Sequence, residues 1–449
     1  MFSKKHILIL FLFLIVLLSA VSQVNAEDLN ATDEMAAEND DMVIGTDEIE
    51  SDELQASPKT FTDLNNAINS NKKSKIYLDS DYSFDSKKDS KYQYGIKVTR
   101  AVTIYGNGHT IDANEGARIF MASNKNIVFR DIIFANGYVR YNDGQINGGA
   151  IFGDFKCINC TFVNNSAVNA GAVHGGTVIN CRFIDNYAYY WGGAMYYGSV
   201  YNCTFIGNRA DYGGALWYCF ACENSLFIDN FASLTGGAVN TAPVVNCTFI
   251  DNYAKYGGGL YIDDVYDIYR CTNSKFINNS AEYGGAIYYS DDIAKNHASR
   301  FSAVNCVLEN NEASKHGGAL YNVNAVNCRL TDNSAKKNGG AMYSGIARTS
   351  TFINNSADYG GALYKATSVD GTFKSNTAKT KGSKAYSSSF KLNTKIIASG
   401  VNAAYNTDKY LVVTLKDTLI SFAVANRKVS ITLKSLDRKS GSAGMPRPI

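Results

Sequence analysis

The sequence predicts an all-β chain, a right-handed single-stranded parallel β-helix with coils of about 22 residues, and three observations carry that expectation. One motif recurs through the middle of the chain: Asn-Cys-Thr-Phe-Ile-x-Asn-x-Ala-x-x-Gly-Gly-Ala-Leu-Tyr. Its Gly-Gly step falls at Gly148, Gly192, Gly213, Gly236, Gly257, Gly284, Gly317, Gly339 and Gly360, with altered copies at Ala170-Gly171 and Gly382-Ser383. Successive steps lie 22, 22, 21, 23, 21, 27, 33, 22, 21 and 22 residues apart, so each unit stacks on the last and cannot bury its apolar face alone. Within each unit, short runs such as Cys181-Arg182-Phe183 alternate apolar and polar residues, the period of a half-buried strand. Finally, Phe, Ala and Gly dominate the apolar positions where a leucine-rich repeat of this length would need Leu.

The elements follow in chain order. Residues 1–26 read as a secretory signal peptide, with Lys4 and Lys5 before an apolar run from Ile7 to Leu18 and a Val24-Asn25-Ala26 cleavage site. No second long apolar segment follows, so the mature chain is expected to be exported without a membrane span. Residues 27–57 carry 12 acidic side chains and no Lys, Arg or aromatic residue, the composition of a disordered leader. The β-helix is expected over 58–390. It opens with a short amphipathic cap helix presenting Phe61, Leu64, Ala67 and Ile68, and continues through irregular early coils at Lys75–Leu78, Val102–Tyr105 and Ile127–Phe129.

Inside the regular coils each recurring residue has a reason. The Asn at 165, 186, 208, 230, 252, 279, 311, 333, 355 and 376 is expected to take a left-handed turn. The Ala two residues later fits a tight inner corner, and the Gly-Gly pair supplies a sharp bend. After the bend an inward aliphatic residue is followed by an outward one: Phe152, His174, Tyr196, Trp217, Asn240, Tyr261, Tyr288, Tyr321, Tyr343, Tyr364 and Tyr386. Coils stack about 4.8 Å apart, so these residues should form a ladder along one outer face.

At 391–449 the pattern changes. Leu411–Leu415 and Lys428–Leu433 read as strand, turn, strand, the opening of an immunoglobulin-like domain that is incomplete here and ends in a polar tail. A full sandwich of that kind needs about 100 residues. Residues 365–449 hold 15 Lys/Arg against 4 Asp/Glu, so the solenoid lies between an acidic and a basic end.

The pairing of Gly-Gly-Ala-aliphatic with Phe-x-x-Asn resembles the repeat of chlamydial polymorphic membrane proteins. It resembles still more closely the adhesin-like surface proteins of methanogenic archaea, over about residues 60–390. The resemblance implies a β-helix at the cell surface. It says little about activity, and the β-barrel module of a chlamydial autotransporter has no counterpart in this sequence.

Three functions are compatible with these residues. The first is a non-catalytic adhesin, secreted or at the cell surface, that holds a polysaccharide, a cell-surface glycan or a neighbouring cell envelope. Sugar C–H faces stack on aromatic rings, which makes Tyr196, Trp217, Tyr261, Tyr288, Tyr321, Tyr343 and Tyr364 the candidate ligand-binding residues. The second is a polysaccharide lyase or related enzyme built on the two long coils. There Asp263, Asp264, Asp291 and Asp292 sit at nearly equal offsets beside Asp267, Lys295, His297 and Arg300, and such a carboxylate cluster would suit calcium. The third is a structural surface spacer. No other cofactor is expected, and an exported chain without a basic aromatic module is no candidate for nucleic acid. Six cysteines share one position (Cys160, Cys181, Cys203, Cys247, Cys306 and Cys328), and packing as small apolar groups is favoured over pairing. Cys157-x-x-Cys160 and Cys219-x-x-Cys222 lie about three coils apart, too far for one zinc site.

Overall fold

The computed structural model describes residues 57–70, 72–140, 146–263, 270–296, 301–391 and 415–416. They wind into a parallel β-solenoid, one of whose sheets has 14 strands, one per coil. The coil that starts at Arg182 shows the plan. Arg182–Ile184, Tyr187–Trp191, Met195–Tyr196 and Ser199–Tyr201 are its strands. A residue with left-handed φ ends each: Asp185 (52°), Gly192 (63°), Tyr197 (59°) and Asn202 (55°). The sequence pattern suggests two strands per repeat, and the structure has four. Strands of two or three residues are too short to show alternation in the sequence.

Each strand pairs in parallel with its equivalent one coil on, so like residues stack: Phe183 lies between Phe162 and Phe205, and Met195 between Val173 and Leu216. The core is therefore a set of columns. Phe134, Phe162, Phe183, Phe205, Phe227, Phe249 and Phe276 are all fully buried. Their rings stack along the axis, with centroids 4.6 Å apart for Phe162 and Phe183 and planes within 5°. Burying one such side chain stabilises by roughly 2–3 kcal/mol. No coil retains that benefit without a neighbour on each side.

The recurring asparagine does something other than turn. The left-handed residue is the one before it (Asn164, Asp185, Asp229, Asp251), while Asn165, Asn186, Asn230 and Asn252 are buried. Each Oδ1 accepts both the backbone N–H and the Nδ2 of its equivalent in the preceding coil. Asn230 N and Nδ2 both donate to Asn252 Oδ1 at 3.0 Å. Each Nδ2 also donates to a core-strand carbonyl, as Asn252 does to Phe227 at 3.2 Å. The buried polar column is thereby satisfied from end to end.

The Gly-Gly step is required by contact. A Cβ on Gly214 would lie 2.0 Å from the Gly237 carbonyl and 2.6 Å from that of Phe231, both backbone atoms that cannot yield. All ten cysteines are buried thiols. Where Ser225 and Ser274 interrupt their column, Cys222 and Cys271 reach the next coil instead, placing sulfurs 3.7 Å from Cys247 and 3.8 Å from Cys306.

The expected cap is present as α1 (Phe61–Asn69), with Phe61, Leu64 and Ile68 buried and Ala67 partly so. Thr60 and Asp63 form a capping box, and the buried Asp89 carboxylate accepts from Phe61 N (3.0 Å) and Thr62 N (2.9 Å) at the same helix end. At the far end Ser389–Lys391 pairs antiparallel with Leu415–Lys416. The signal peptide, the acidic leader and the remainder of the immunoglobulin-like segment lie outside the described residues.

Candidate binding face

The expected ladder forms in register. His174, Tyr196, Trp217, Asn240, Tyr261, Tyr288, Tyr321, Tyr343, Tyr364 and Tyr386 are successive strand partners. These side chains point away from the phenylalanine columns, because strand alternation turns each one outward from its buried aliphatic neighbour. From Tyr261 onward the rings are nearly parallel. Centroids are 5.4 Å apart for Tyr261 and Tyr288, 4.7 Å for Tyr288 and Tyr321, and 4.8 Å for Tyr321 and Tyr343.

A second row flanks the first. The residue before each Gly-Gly step (Trp191, Tyr212, Thr235, Tyr256, Tyr283, His316, Asn338, Tyr359) also stacks coil on coil. Its rings meet the ladder edge-on, Tyr256 against Tyr288 at 5.2 Å and Tyr283 against Tyr321 at 5.7 Å. The signal for this row was in the repeated aromatic-Gly-Gly triplets, which sequence reasoning read only as bends. Between them the two rows bury most of Tyr196, Tyr288 and Tyr321, which retain 9%, 5% and 7% exposure. In this stretch the ring faces are used against one another. What remains at the surface is ring edges and hydroxyl groups.

Carboxylates meet those hydroxyls. Asp291 Oδ2 accepts from Tyr288 OH at 3.1 Å and from Tyr321 OH at 3.4 Å, and its Oδ1 accepts from Asn322 Nδ2 at 2.8 Å. Asp263 Oδ1 accepts from Thr241 Oγ1 at 2.6 Å and from Tyr218 OH at 3.3 Å. Burial, then the neighbouring Asp263, pushes Tyr261 up to about 12, and burial with Asp291 raises Tyr288 and Tyr321 further. These phenols stay protonated and keep donating.

Of the four aspartates, Asp263 and Asp291 lie one residue out of register. Ile262 pairs with Tyr289, so Asp263 lies level with Ser290, and Asp291 begins the short helix α2 (Asp291–Asn296) one residue later. Asp292 is exposed. Asp264, Asp267, His297 and Arg300 lie outside the described residues, as does the side chain of Lys295. Among the described residues no group of three or more His, Cys, Asp or Glu side chains is gathered to hold a metal ion.

Comparison with known proteins adds three findings. Residues 56–192 match the model of the pectate lyase-like adhesive domain. Residues 273–290, 305–323 and 349–365 match the model of the chlamydial polymorphic membrane protein repeat. The crystal structure of PfbA, a surface adhesin of Streptococcus pneumoniae, aligns with 81% of this chain and 98% of its own, at 10% identity and a TM-score of 0.37. No curated protein matches the chain.

Proposed function

We propose that this chain is an exported, adhesin-like surface protein of the kind methanogenic archaea display. In this reading it holds a glycan-bearing surface along its aromatic face and performs no chemistry on it. The observation that carries the reading is the pair of aromatic rows, continued coil after coil, whose outer rim offers tyrosine hydroxyls and aspartate carboxylates to a long partner. The adhesive-domain match over 56–192 and the surface-protein repeats that follow support it. A rigid solenoid suits this work because its spacing is fixed by the ladder, so a polymer meets a preorganised row at little entropic cost. Among the described residues no helix is long and apolar enough to cross a membrane.

The test is retention of the full chain on immobilised polysaccharides. Retention that falls at least tenfold when Tyr261, Tyr343 and Tyr364 are all replaced by Ser supports the reading. Equal retention of that variant overturns the assignment to this face.

A further inference from the structure

The aromatic face is not uniform. Beyond Tyr261 the ring faces are covered by their neighbours, whereas in the coils from Tyr187 to Phe220 several rings stand exposed beside buried ones. Phe220 is 70% exposed and Tyr197 37%, and the two rings are parallel within 11° with centroids 6.0 Å apart. Both tryptophans of the chain stand here too, Trp191 and Trp217, stacked at 4.9 Å.

Two rings of the patch stand at a corner of the coil. Tyr197 and Tyr218 hold φ of 59° and 51° at a corner that Gly175 occupies one coil earlier and Thr241 one coil later. A bulky residue is strained in that conformation and glycine is not. Later coils fill the same corner with Thr241, Ser344 and Lys365 at φ of 54°, 60° and 52°, so the turn itself does not call for a ring. In the next coil both aromatic rows stop together, with Thr235 and Asn240 in place of rings. Tyr218 reaches past this gap to Asp263, which also accepts from Thr241.

We propose that Tyr197, Trp217, Tyr218 and Phe220, with Asp263 at their edge, form a platform that binds an uncharged pyranose unit of a polysaccharide. This rests on the glycan reading above and narrows it to one place and one ligand class. A pyranose has a flat C–H face, which fits an exposed ring, and a rim of hydroxyls, which needs acceptors such as Asp263. Charge selects among sugars. Asp263 lies beside Tyr218 and Tyr261, and Asp292 also acts on Tyr261, so a uronate placed here meets like charge whereas a neutral or N-acetylated sugar does not.

The experiment is calorimetric titration of the full chain with the hexasaccharides of β-1,4-linked glucose, N-acetylglucosamine and galacturonate. The variants are Y197G and F220S combined, and Y253S as an exposed ring outside both aromatic rows. The expected result is binding of at least one neutral hexasaccharide, at least tenfold tighter than the galacturonate one. It should weaken at least tenfold in Y197G/F220S and stay unchanged in Y253S. Y197G installs the residue of the preceding coil and relieves strain, so the melting temperature of the double variant should not fall. Binding that persists in Y197G/F220S but is lost when Tyr261, Tyr343 and Tyr364 are all replaced by Ser overturns the platform while leaving the aromatic face as the glycan site. Tightest binding of the galacturonate hexamer overturns the ligand class. Binding of no hexasaccharide, with capture of protein-coated beads that Y197G/F220S abolishes, makes the patch a protein contact and overturns the proposal.

Discussion

At the scale of single residues, the fold depends on side chains that satisfy one another between coils. Asn252 accepts two hydrogen bonds from Asn230 and donates to Phe227 O and to Asn279 Oδ1. Asn252→Ala strands buried donors on Asn230 and should cost about 3 kcal/mol, read as a lower denaturation midpoint. Gly214→Ala should be worse, because its methyl group overlaps backbone on two sides; the expected outcome is insoluble protein. Histidine gives a pH signature. Burial, with Arg118 adding to it, holds the His174 imidazole below its ordinary value of 6.5, and burial does the same at His316. The unfolded chain therefore takes up these protons first. Their contribution to stability is complete above pH 6.5 and declines as pH falls below it. His174→Phe, which keeps the stack on Phe152, should flatten melting temperature against pH below about 6.5. The asparagine column shows how far single residues can be read. Recurrence at a fixed spacing was visible, but an asparagine that turns and one that points inward leave the same mark in a sequence. Only the preceding Asn, Asp or Gly, able to take the left-handed φ, distinguished them.

At the scale of elements, α1 is bound to the first coil through Asp89, which serves donors at Phe61, Thr62 and Asp85. Asp89→Ala leaves those donors buried and should weaken the cap by about 3 kcal/mol, a roughly hundredfold faster exchange of local amides. Because a solenoid couples mainly nearest neighbours, hydrogen exchange should quicken over residues 57–105 and stay unchanged over 301–391. Uniform quickening would contradict a quasi-one-dimensional fold. The period, the cap helix and the inward columns were legible because each rests on apolar residues at a regular spacing. The second aromatic row was not, since its members vary from Trp191 through Thr235 to His316 and are united only by position. Asn240, counted in the expected ladder, leaves it without a ring, and its coincidence with Thr235 appears only when both rows are seen side by side.

At the scale of the whole molecule, about 14 coils present one long face whose scaffold is set by backbone pairing and whose chemistry varies along its length. Such a face suits holding a polymer. The carboxylates within it are engaged by Tyr218, Thr241, Tyr288, Tyr321 and Asn322, so calcium would have to displace good donors at Asp263 and Asp291. The melting temperature should accordingly be the same in millimolar calcium and in chelator, and a calcium-dependent rise of several degrees would restore the four-aspartate site. The measurement that bears most directly on the central claim is mass spectrometry of polysaccharides recovered from the full chain after incubation with calcium. Bound polymers of unchanged length are the predicted result. Shortened chains with unsaturated ends would contradict it, making the protein a lyase and the two long coils its active site.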